Sequence, residues 1–443
     1  MPEKLIESII SRGRLYEVGG SVRDRLIDPN AELKDRDYLV TGIPLDDLMN
    51  VLREFGRVDM VGKSFGVIKF SRRDTGETSD FAIPRTERST GTAHRDFEVE
   101  YDPDLPVEVD LKRRDFTINA MAREIPSGEI VDPYGGQPDI AGRLIRIVFP
   151  QAIPEDPLRI LRGAQFAARL GFEIESETLR SMQEKFGLIR TVAPERIADE
   201  ISKLLLKADK PSVGFRLLRQ IGALDLIFPE LTACIGVAQP GGYHRWDVFD
   251  HTMECLDKTP KELIIRLAAL FHDTGKPATR ELTENGATFY GHDKLSAKIA
   301  VEALKRFRYS NEIVEKAELL ISKHMFSESS GDKGVRRLIR AVGTDLIYSL
   351  IALRRADTAA QGMGQDPSEV EAFEKKVTAE IEKKSPFGLK DLAVDGKDIM
   401  EEFGLSEGPK IGRILARLMD LVLDNPELNE RKTLLGEAKN YLL

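Results

Sequence analysis

Short apolar runs separated by turn residues occupy the first ~145 residues, and apolar residues recur with helical spacing in the rest of the chain. The runs in YEVGG, DRDYLVTG, FGVIKFS and DFAIPR are typical of strands, and PLDDLMNVLREFG between them is typical of a helix. From EDPLRILRGAQFAARLGF onward the pattern is helical, and strand-like stretches almost vanish after about residue 150. The pattern therefore predicts an α/β or α+β domain followed by helical domains.

Three breaks rich in proline or glycine interrupt the helical part of the chain. AQPGGYHRW lies near residue 240, GMGQDPSE near residues 362–368 and KKSPFG near residues 383–388. A chain of 443 residues has room for about two to four domains. The breaks and the change of pattern predict domains at residues 1–145, 146–238, 239–365 and 385–443.

Composition mainly excludes classes of protein. The net charge is −9, which argues against a generally basic nucleic-acid binder, and no run reaches the ~18 apolar residues of a membrane span. Charged residues interrupt MPEKLIESIISRGRLYEVGG before a signal-peptide core forms. Cys234 and Cys255 have neither metal-binding nor disulfide spacing. We therefore expect a cytoplasmic protein with reduced thiols, no membrane association and no obligate protein partner.

Two glycines at the end of the first predicted strand form a candidate phosphate-binding turn. Gly19 and Gly20 follow YEV and open a helix that carries Arg23. Glycines let the backbone approach a phosphate, a helix N-terminus offers free N–H groups, and a guanidinium can donate two hydrogen bonds to phosphate oxygens. A purely structural turn is the alternative for this motif taken alone.

Three carboxylates strengthen the functional interpretation of this turn. Asp35 and Asp37 are two residues apart in a predicted strand, so their side chains point to the same face. Asp80 begins another apolar run. Carboxylates held side by side repel each other unless a cation lies between them, and Mg²⁺ prefers such oxygen ligands. A solvated acidic turn is the alternative for Asp35 and Asp37 considered alone.

The ordered set of motifs GGSVRD, KDRDYLV, PRTERSTG, DLKRRDFTINAMA, DPYGGQPDIAGRLIRI and EDPLRILR resembles the bacterial (class II) family of CCA-adding enzymes and their poly(A) polymerase relatives. The resemblance covers roughly residues 14–230. It implies an α+β fold, in which a nucleotidyltransferase head of the DNA-polymerase-β type with a mixed sheet precedes all-helical neck, metal-binding and tail domains. It implies tRNA, CTP and ATP as substrates, with Mg²⁺ in the head.

The same resemblance assigns roles to residues of the head and neck. Asp35 and Asp37 would bind the catalytic metal ions, and Asp80 would be the third catalytic carboxylate. The residues implied to bind the nucleotide are Gly19, Gly20, Arg23, Arg114, Asp115, Asp156, Arg159 and Arg162. Within this set, Asp156 and Arg159 match the residues that recognise the nucleobase without a template.

The spacing of Asp156, Arg159 and Arg162 fits this role independently. Residues three apart share one face of a helix. A carboxylate accepts from an exocyclic amino group and a guanidinium donates to ring acceptors, so an Asp–Arg pair can accept adenine and cytosine and reject uracil and guanine. The alternative is structural, because Asp156 before Pro157 is also a good helix N-cap.

Three neighbouring features add detail. Gln165 stands where the family usually has arginine, which puts in question how tightly the triphosphate is held. Arg196 and Glu200 lie on one helical face and are expected to support the nucleotide-reading helix. The polar segment between Arg85 and Glu98 matches the loop that helps the family switch from C to A addition.

Histidines are concentrated in one later helical region. FDHTME, LAALFHDTGK, YGHDK, ISKHMF and RRADT together resemble the HD phosphohydrolase superfamily. The resemblance implies His251, His272, Asp273 and Asp357 as core ligands and His292 and His324 as ligands of a second metal ion. Imidazoles with carboxylates suit Ni²⁺, Mn²⁺, Co²⁺, Fe²⁺ or Zn²⁺, and metal-bound water can attack phosphoesters. Related domains act on phosphoester ends, including 2′,3′-cyclic phosphates.

The tail and the competing functions complete the prediction. LAVDGKD and EFGLSEGPKIGRILARL resemble the tail that contacts the tRNA elbow in shorter class II enzymes, although a helical packing unit explains them equally well. The leading hypothesis is CCA addition with a second, metal-dependent phosphohydrolase activity. The alternatives are a poly(A) polymerase, a CC-only or A-only specialist, a phosphohydrolase whose head only docks RNA, and a non-catalytic tRNA-binding protein.

Overall fold

The computed structural model describes residues 1–30, 36–61, 66–89, 97–241, 245–284, 286–362, 366 and 368–441. Asp35 and part of the predicted switch loop, residues 90–96, lie outside these ranges. The chain divides into two compact units, Met1–Ile227 and Phe228–Leu443, and each has its own hydrophobic core. Within the described ranges, every helix is too short or too polar to cross a membrane.

The first unit combines a mixed sheet with helices. Its strands are β1 Arg14–Val18, β2 Asp37–Thr41, β3 Gly56–Val61, β4 Val67–Arg72, β5 Thr78–Ala82, β6 Arg85–Ser89, β7 Phe97–Tyr101, β8 Ala122–Ile125, β9 Ile130–Val131, β10 Leu144–Ile145 and β11 Glu173–Ile174. Its helices are α1 Glu3–Ile10, α2 Gly20–Ile27, α3 Leu45–Phe55, α4 Val107–Lys112, α5 Gly136–Ala141, α6 Ala152–Glu155, α7 Arg159–Leu170, α8 Ser176–Lys185, α9 Pro194–Lys207, α10 Ser212–Ile221 and α11 Leu224–Ile227.

Seven strands form one sheet in the order β3-β4-β5-β2-β1-β8-β9. β2 and β5 run parallel, whereas the other neighbours are antiparallel, which makes the sheet mixed. Side chains alternate between its two faces, so Tyr38 and Val40 pack with α1 and α3 while Leu39 packs with α4 on the other side. Asp37 shares the face of Leu39, which directs it to the side where the glycine turn and α2 begin.

The second unit is helical except for one small hairpin. Its helices are α12 Pro229–Thr232, α13 Val248–Lys258, α14 Leu263–Phe271, α15 Lys276–Thr279, α16 His292–Arg306, α17 Asn311–Lys323, α18 Asp332–Val342, α19 Ile347–Ala360, α20 Ser368–Glu382, α21 Gly396–Phe403, α22 Pro409–Asp424 and α23 Arg431–Asn440. The hairpin strands are β12 Glu281–Thr283 and β13 Gly286–Thr288. Short 3₁₀ helices lie at Thr117–Asn119, Phe186–Thr191, Leu389–Asp391 and Pro426–Leu428.

α14 is the central helix of the second unit. Its sequence LIIRLAALF is apolar almost all round, as expected for a helix covered on every side, and it packs against α13, α16, α17 and α19. Its one charged residue, Arg266, is 2% exposed and donates to the carbonyl oxygens of Thr259 and Pro260. The helix is therefore a fixed support for His272 and Asp273, which follow it directly in the chain.

The predicted fold class is confirmed. A mixed sheet occupies the N-terminal part of the chain, and the rest is mostly helical. The apolar runs predicted β1, β2, β4 and β5, whereas β3 and β6 to β13 were not predicted. Of these, β9 to β13 have only two or three residues, which are too few to establish an alternating pattern. The two cysteines are free and buried, and burial raises the pKa of both Cys234 and Cys255.

Candidate functional site

The glycine turn predicted between β1 and α2 is shaped by the close approach of an arginine. Gly19 has φ +75°, a conformation that favours glycine, and α2 begins at Gly20. A Cβ atom on Gly19 would lie 2.5 Å from Nη1 of Arg114. Only glycine at this position therefore allows the Arg114 guanidinium to lie directly over the turn.

Arg23 is fixed on the first turn of α2. It is 2% exposed, and its Nε and Nη2 atoms lie 2.8 and 2.7 Å from Oδ1 of Asp24. Its Nη1 atom donates to Oδ1 of Asn119, and its guanidinium lies 5.1 Å from the ring centroid of Phe166. Burial lowers the pKa of Arg23, and the charge of Asp24 opposes that effect. These contacts hold a buried cation beside the helix N-terminus.

Two of the predicted catalytic carboxylates are direct neighbours. Asp37 is the first residue of β2, and Asp80 is its register partner in β5. Because the two strands are parallel, partners in register project from the same face of the sheet. Asp37 also lines the cavity that contains Arg114. Burial lowers the pKa of Arg114, whereas the charges of Asp110 and Asp37 raise it.

Asp115 lies at the centre of a hydrogen-bond network. Its Oδ1 accepts from the backbone N of Phe116 at 2.7 Å and from Nδ2 of Asn119 at 3.0 Å. Its Oδ2 accepts from Nε and Nη2 of Arg162 at 2.7 and 2.6 Å. Burial acts to raise the pKa of Asp115, but Arg162 and Asn119 hold it below its ordinary value. Both carboxylate oxygens are thus engaged within the protein.

Asn119 is a member of this network that sequence reasoning missed. Its amide oxygen accepts from Arg23 and its amide nitrogen donates to Asp115. Asn119 therefore connects Arg23 on α2 to Asp115, whose carboxylate holds Arg162 on α7. Its position four residues after Asp115, within DFTINA, was the only available signal.

Asp156 and Arg159 come together where α7 begins. Asp156 pairs with both Nη atoms of Arg196 on α9, at 3.3 and 2.9 Å. Arg159 donates to the carbonyl oxygens of Arg113 and Ala152 at 2.6 and 3.2 Å. These contacts fix the orientation of the carboxylate and the guanidinium that the sequence assigned to base recognition.

The capping alternative for Asp156 is partly realised. Its Oδ1 accepts from the backbone N of Leu158 at 3.3 Å, which is the type of bond expected of a cap. The helix itself begins at Arg159 rather than at Pro157, and Leu158 occupies its N-cap position. Capping therefore uses one side of the carboxylate and does not account for its pairing with Arg196.

These residues surround one cavity of about 420 Å³. Its lining consists of Gly19, Gly20, Arg23, Asp37, Arg114, Asp115, Asn119, Asp156, Leu158, Arg159, Arg162, Gln165, Phe166, Arg169, Arg196, Glu200, Lys203 and Lys207. Eight basic side chains face four acidic ones, so the cavity favours a polyanion. The predicted support residues Arg196 and Glu200 are both present, and Glu200 contacts Arg162 and Lys203 at 3.4 and 2.7 Å.

The second candidate site lies in the second unit and contains all six predicted metal ligands. His251 lies on α13, His272 and Asp273 follow α14, His292 begins α16, His324 follows α17, and Asp357 lies on α19. All six are buried, although they are polar or charged. Their ligand atoms form two groups, one of His251, His272 and Asp357 and one of Asp273, His292 and His324.

Asp273 lies between the two groups. Its Oδ2 is 3.3 Å from Nε2 of His272, and its Oδ1 is 3.4 Å from Nε2 of His292. In the first group, Nε2 of His251 is 3.0 Å from Oδ1 of Asp357 and 3.4 Å from Nε2 of His272. A single carboxylate therefore has one oxygen facing each group, which is the arrangement needed to bridge two cations.

The imidazole tautomers also favour cation binding. Nδ1 of His272, His292 and His324 lies 2.7 Å from the carbonyl oxygen three residues earlier in each case. A carbonyl only accepts, so each Nδ1 donates and each ring directs its Nε2 atom to the centre, where the neutral form of the ring has a lone pair. Burial lowers the pKa of His324 to about 3, which keeps its ring neutral. Nε2 of His292 has no hydrogen-bond partner among the described residues.

Two cations that the sequence analysis did not single out complete this site. Nζ of Lys276 lies 2.7 Å from Oδ2 of Asp273 and 2.7 Å from Oε1 of Gln239. Nη1 of Arg354 lies 3.0 Å from Oδ2 of Asp357. Lys276 and Arg354 line the adjoining cavity of about 590 Å³. Both side chains are positively charged and can donate hydrogen bonds to the oxygens of a phosphoryl group.

Three family models match the chain. The model described as the poly A polymerase head domain matches residues 15–146, and the one described as a probable RNA and SrmB-binding site of polymerase A matches residues 171–235. The model described as the HD domain matches residues 241–360. The first match covers the glycine turn, and the third covers the histidine cluster.

Curated relatives and solved structures extend the comparison. The multifunctional CCA protein of Methylococcus capsulatus is 35% identical over 418 residues, which cover 91% of this chain and 93% of the relative. That of Pasteurella multocida is 40% identical over 326 residues, covering 70% and 74%. The Bacillus stearothermophilus CCA-adding enzyme in complex with CTP has a TM-score of 0.70 at 20% identity, covering 99% of this chain and 95% of its own. The Thermotoga maritima enzyme complexed with tRNA has a TM-score of 0.55 at 21% identity, covering 99% and 93%. At this identity, the likeness to the two solved structures concerns the fold.

Proposed function

The chain belongs to the multifunctional CCA protein family, and from this premise we propose that it adds C and A nucleotides to the 3′ end of tRNA, using CTP and ATP without a nucleic-acid template. The observation that carries the proposal is the cationic cavity of the first unit. It combines a glycine turn, a carboxylate on the sheet and an aspartate–arginine pair where α7 begins. These are the parts needed to bind a triphosphate, transfer a nucleotidyl group and select a base.

Asp37 and Asp80, together with Asp35 outside the described residues, are the proposed catalytic carboxylates. Their residue types fit Mg²⁺, and two carboxylates projecting from one face of adjacent strands are electrostatically favourable only with a cation nearby. Bound Mg²⁺ would activate the 3′-hydroxyl of tRNA and stabilise the pyrophosphate leaving group. The protein's own part is to hold the carboxylates on two adjacent interior strands of the sheet.

The triphosphate is proposed to bind at the glycine turn. Gly19 forms the turn, with its own N–H donating to the carbonyl oxygen of Met121 at 3.2 Å. Gly20 begins α2, whose first backbone N–H groups and positive end favour phosphate. Arg23 and Arg114 supply guanidinium groups on either side of this turn. Arg23 is held by short buried contacts, so its side chain loses little conformational entropy when the phosphates bind. Arg114 is held less tightly, at 3.5 Å from the carbonyl oxygen of Asn119 and 3.6 Å from Oδ2 of Asp110.

Base selection is proposed to rest on Asp156 and Arg159. The carboxylate accepts from the amino group of adenine or cytosine, and the guanidinium donates to the adjacent ring nitrogen. Uracil and guanine present a carbonyl oxygen where the amino group would be, which leaves buried polar groups unpaired. Arg196 orients Asp156 for this contact. Arg162 is proposed to contact the nucleotide while Asp115 fixes its position.

Residues 239–365 of the second unit are proposed to form a metal-dependent phosphohydrolase domain. His251, His272, Asp273 and Asp357 would hold one ion, with His292 and His324 completing a second position. The donor set fits Ni²⁺, Mn²⁺, Co²⁺, Fe²⁺ or Zn²⁺. Bound metal would supply a nucleophilic hydroxide near neutral pH. Lys276 and Arg354 would bind the phosphoryl oxygens of an RNA end, including a 2′,3′-cyclic phosphate.

The remaining segments have proposed supporting roles. Residues 1–145 form the head that carries the catalytic carboxylates, and residues 146–238 form the neck that reads the nucleotide. Residues 385–443 contain α21, α22 and α23, which share their own core, and are proposed to bind the tRNA elbow.

Extension of tRNA transcripts tests the proposal directly. Transcripts ending at the discriminator base, at C and at CC are incubated with Mg²⁺ and each of the four NTPs. Addition of CCA and nothing more is the expected result. Addition of only CC, only A or a long A tract identifies a specialist or a poly(A) polymerase. No addition overturns the assignment of the first unit.

A further inference from the structure

The cavity beside the histidine cluster has two chemically different parts. Its floor carries four of the six candidate metal ligands, Asp273, His292, His324 and Asp357, together with Lys276 and Arg354. Its rim carries two apolar side chains that face solvent, Tyr290 and Met325, which are 84% and 52% exposed. The floor suits a phosphoryl group, whereas the rim suits the uncharged part of the same substrate.

Tyr290 is held on this rim by a well-anchored segment. The backbone carbonyl of Phe289 accepts from the backbone N of His292 at 3.1 Å and from its Nδ1 at 2.7 Å. Gly291, between them, has φ +77°, the left-handed conformation that reverses the chain here. The contacts that orient His292 towards the cluster therefore also fix the backbone of Tyr290 at the mouth of the cavity.

The hairpin before Tyr290 is anchored as well. The backbone N of Ala287 donates to the carbonyl oxygen of Pro240 at 3.1 Å. Gly286 has φ +137°, and a Cβ atom on it would lie 2.5 Å from that same carbonyl oxygen. The hairpin that precedes Tyr290 is therefore attached to Pro240 by a backbone hydrogen bond.

We propose that Tyr290, supported by Met325, is the base-stacking residue of this site, so that the second unit selects phosphate on a nucleoside over a phosphate ester without a base. The inference rests on the proposed phosphohydrolase function and adds a specificity residue to it. Aromatic side chains stack on any nucleobase because every base has a π-face. The bound group would be the terminal nucleoside of RNA, whose phosphate reaches the floor while its base lies on the exposed ring.

A pair of cyclic phosphates with and without a base provides the test. Adenosine 2′,3′-cyclic phosphate and glycerol 1,2-cyclic phosphate contain the same five-membered phosphodiester. In each, the oxygen of water forms a new bond to phosphorus and one ester P–O bond breaks. The released ester oxygen takes the proton and becomes a hydroxyl. The full-length metal-loaded protein is assayed with both compounds, and its metal content is measured.

For wild type, we expect a preference for the adenosine compound. Tyr290→Ala should raise KM for that compound by about tenfold and leave kcat unchanged. The metal content of the variant and its kinetics with the glycerol compound should match those of wild type. Tyr290→Phe should retain the wild-type KM because it keeps the ring. Tyr348→Ala is the matched control, since Tyr348 is 40% exposed on α19 and does not line the cavity.

The possible failures are distinguishable. If wild type hydrolyses both compounds equally, or Tyr290→Ala affects both equally, base stacking is wrong and the phosphohydrolase function stands. If Tyr290→Phe loses affinity as Tyr290→Ala does, the hydroxyl rather than the ring matters, which also overturns the proposal. Hydrolysis of neither compound by the metal-loaded wild type overturns the phosphohydrolase function and the inference with it.

Discussion

Asp115 and Arg162 are joined by two short contacts, 2.7 and 2.6 Å, that connect a loop of the head to the first turn of α7. Asp115 is 7% exposed, and its second oxygen holds Asn119, which holds Arg23. A displacement at either end of this chain of contacts is therefore transmitted to the proposed triphosphate site through buried hydrogen bonds. The network couples the head and the α7 helix within the first unit.

Asp115→Asn should destabilise the first unit in a pH-dependent way. The pKa of Asp115 is lower in the folded chain than its ordinary value, so the ionised carboxylate stabilises the folded state above the unfolded pKa of about 4. The loss should be on the order of 2 kcal/mol at pH 7, unchanged at pH 5 and smaller as the pH falls below about 4. Calorimetric unfolding of both proteins across this range measures it. A difference that does not shrink in acid would show that the charge of Asp115 is not what stabilises the fold.

Gly19→Ala should impair nucleotide addition more than folding. The added Cβ atom would lie 2.5 Å from Nη1 of Arg114, whose guanidinium can swing away from the turn. We expect kcat/KM for CTP and ATP to fall by roughly 100-fold, as when a positioned cation is lost, with a strain cost of about 1–2 kcal/mol. Steady-state kinetics and thermal unfolding measure the two effects.

Gly76→Ala is the matched control for this prediction. Gly76 has φ +70°, close to that of Gly19, but a Cβ atom there would meet nothing within 4 Å. It should therefore show the strain without the kinetic defect. Equal kinetic losses in the two variants would mean that backbone strain, rather than the position of Arg114, controls activity.

Much of the architecture could be predicted because the signals are local. Alternating apolar runs predicted β1, β2, β4 and β5, and helical spacing predicted the change to helices near residue 150. The motif order predicted the family. Local patterns did not predict the in-register pairing of Asp37 with Asp80, because the residues between them could connect the two strands in several ways.

The contacts inside the sites were less predictable. Arg196 is 40 residues from Asp156, and Arg354 reaches the cluster only because α19 packs against α13 and α14. Such pairs depend on helix packing, which periodicity alone does not specify. The capping alternative for Asp156 implied a helix start at Pro157, but α7 begins at Arg159. The sequence therefore indicated the chemistry of the residues better than their partners.

Gln165→Arg should strengthen nucleotide binding. Gln165 lines the cationic cavity and is 3% exposed. It lies three residues after Arg162 on α7. Arginine, which the family resemblance leads us to expect at this position, would add a charge near the proposed triphosphate site. We expect KM for both CTP and ATP to fall by about three- to tenfold with kcat little changed. Gln165→Met controls for volume and should not lower KM. An unchanged KM in the arginine variant would place this position outside the reach of the phosphates.

Asp37→Ala should separate the two proposed activities. Loss of this carboxylate should reduce nucleotide addition by at least about 1,000-fold, while hydrolysis of a cyclic phosphate by the second unit is unchanged. Asp59→Ala is the control, because Asp59 lies on β3 of the same sheet but outside the cavity. Addition that survives in Asp37→Ala would contradict the catalytic assignment, and a parallel loss of hydrolysis would indicate misfolding.

Removal of individual histidines should reveal how many ions the second unit holds. Chelator-treated protein is reloaded separately with Ni²⁺, Mn²⁺, Co²⁺, Fe²⁺ or Zn²⁺, and bound metal is measured by mass spectrometry alongside hydrolysis. Because His272 and His292 belong to different ligand groups, we expect His272→Ala and His292→Ala each to lose one ion, with affinity for that ion falling at least about 10-fold. Nucleotide addition should persist in both variants. Equal metal content in wild type and His272→Ala would mean that the buried histidine cluster does not bind metal.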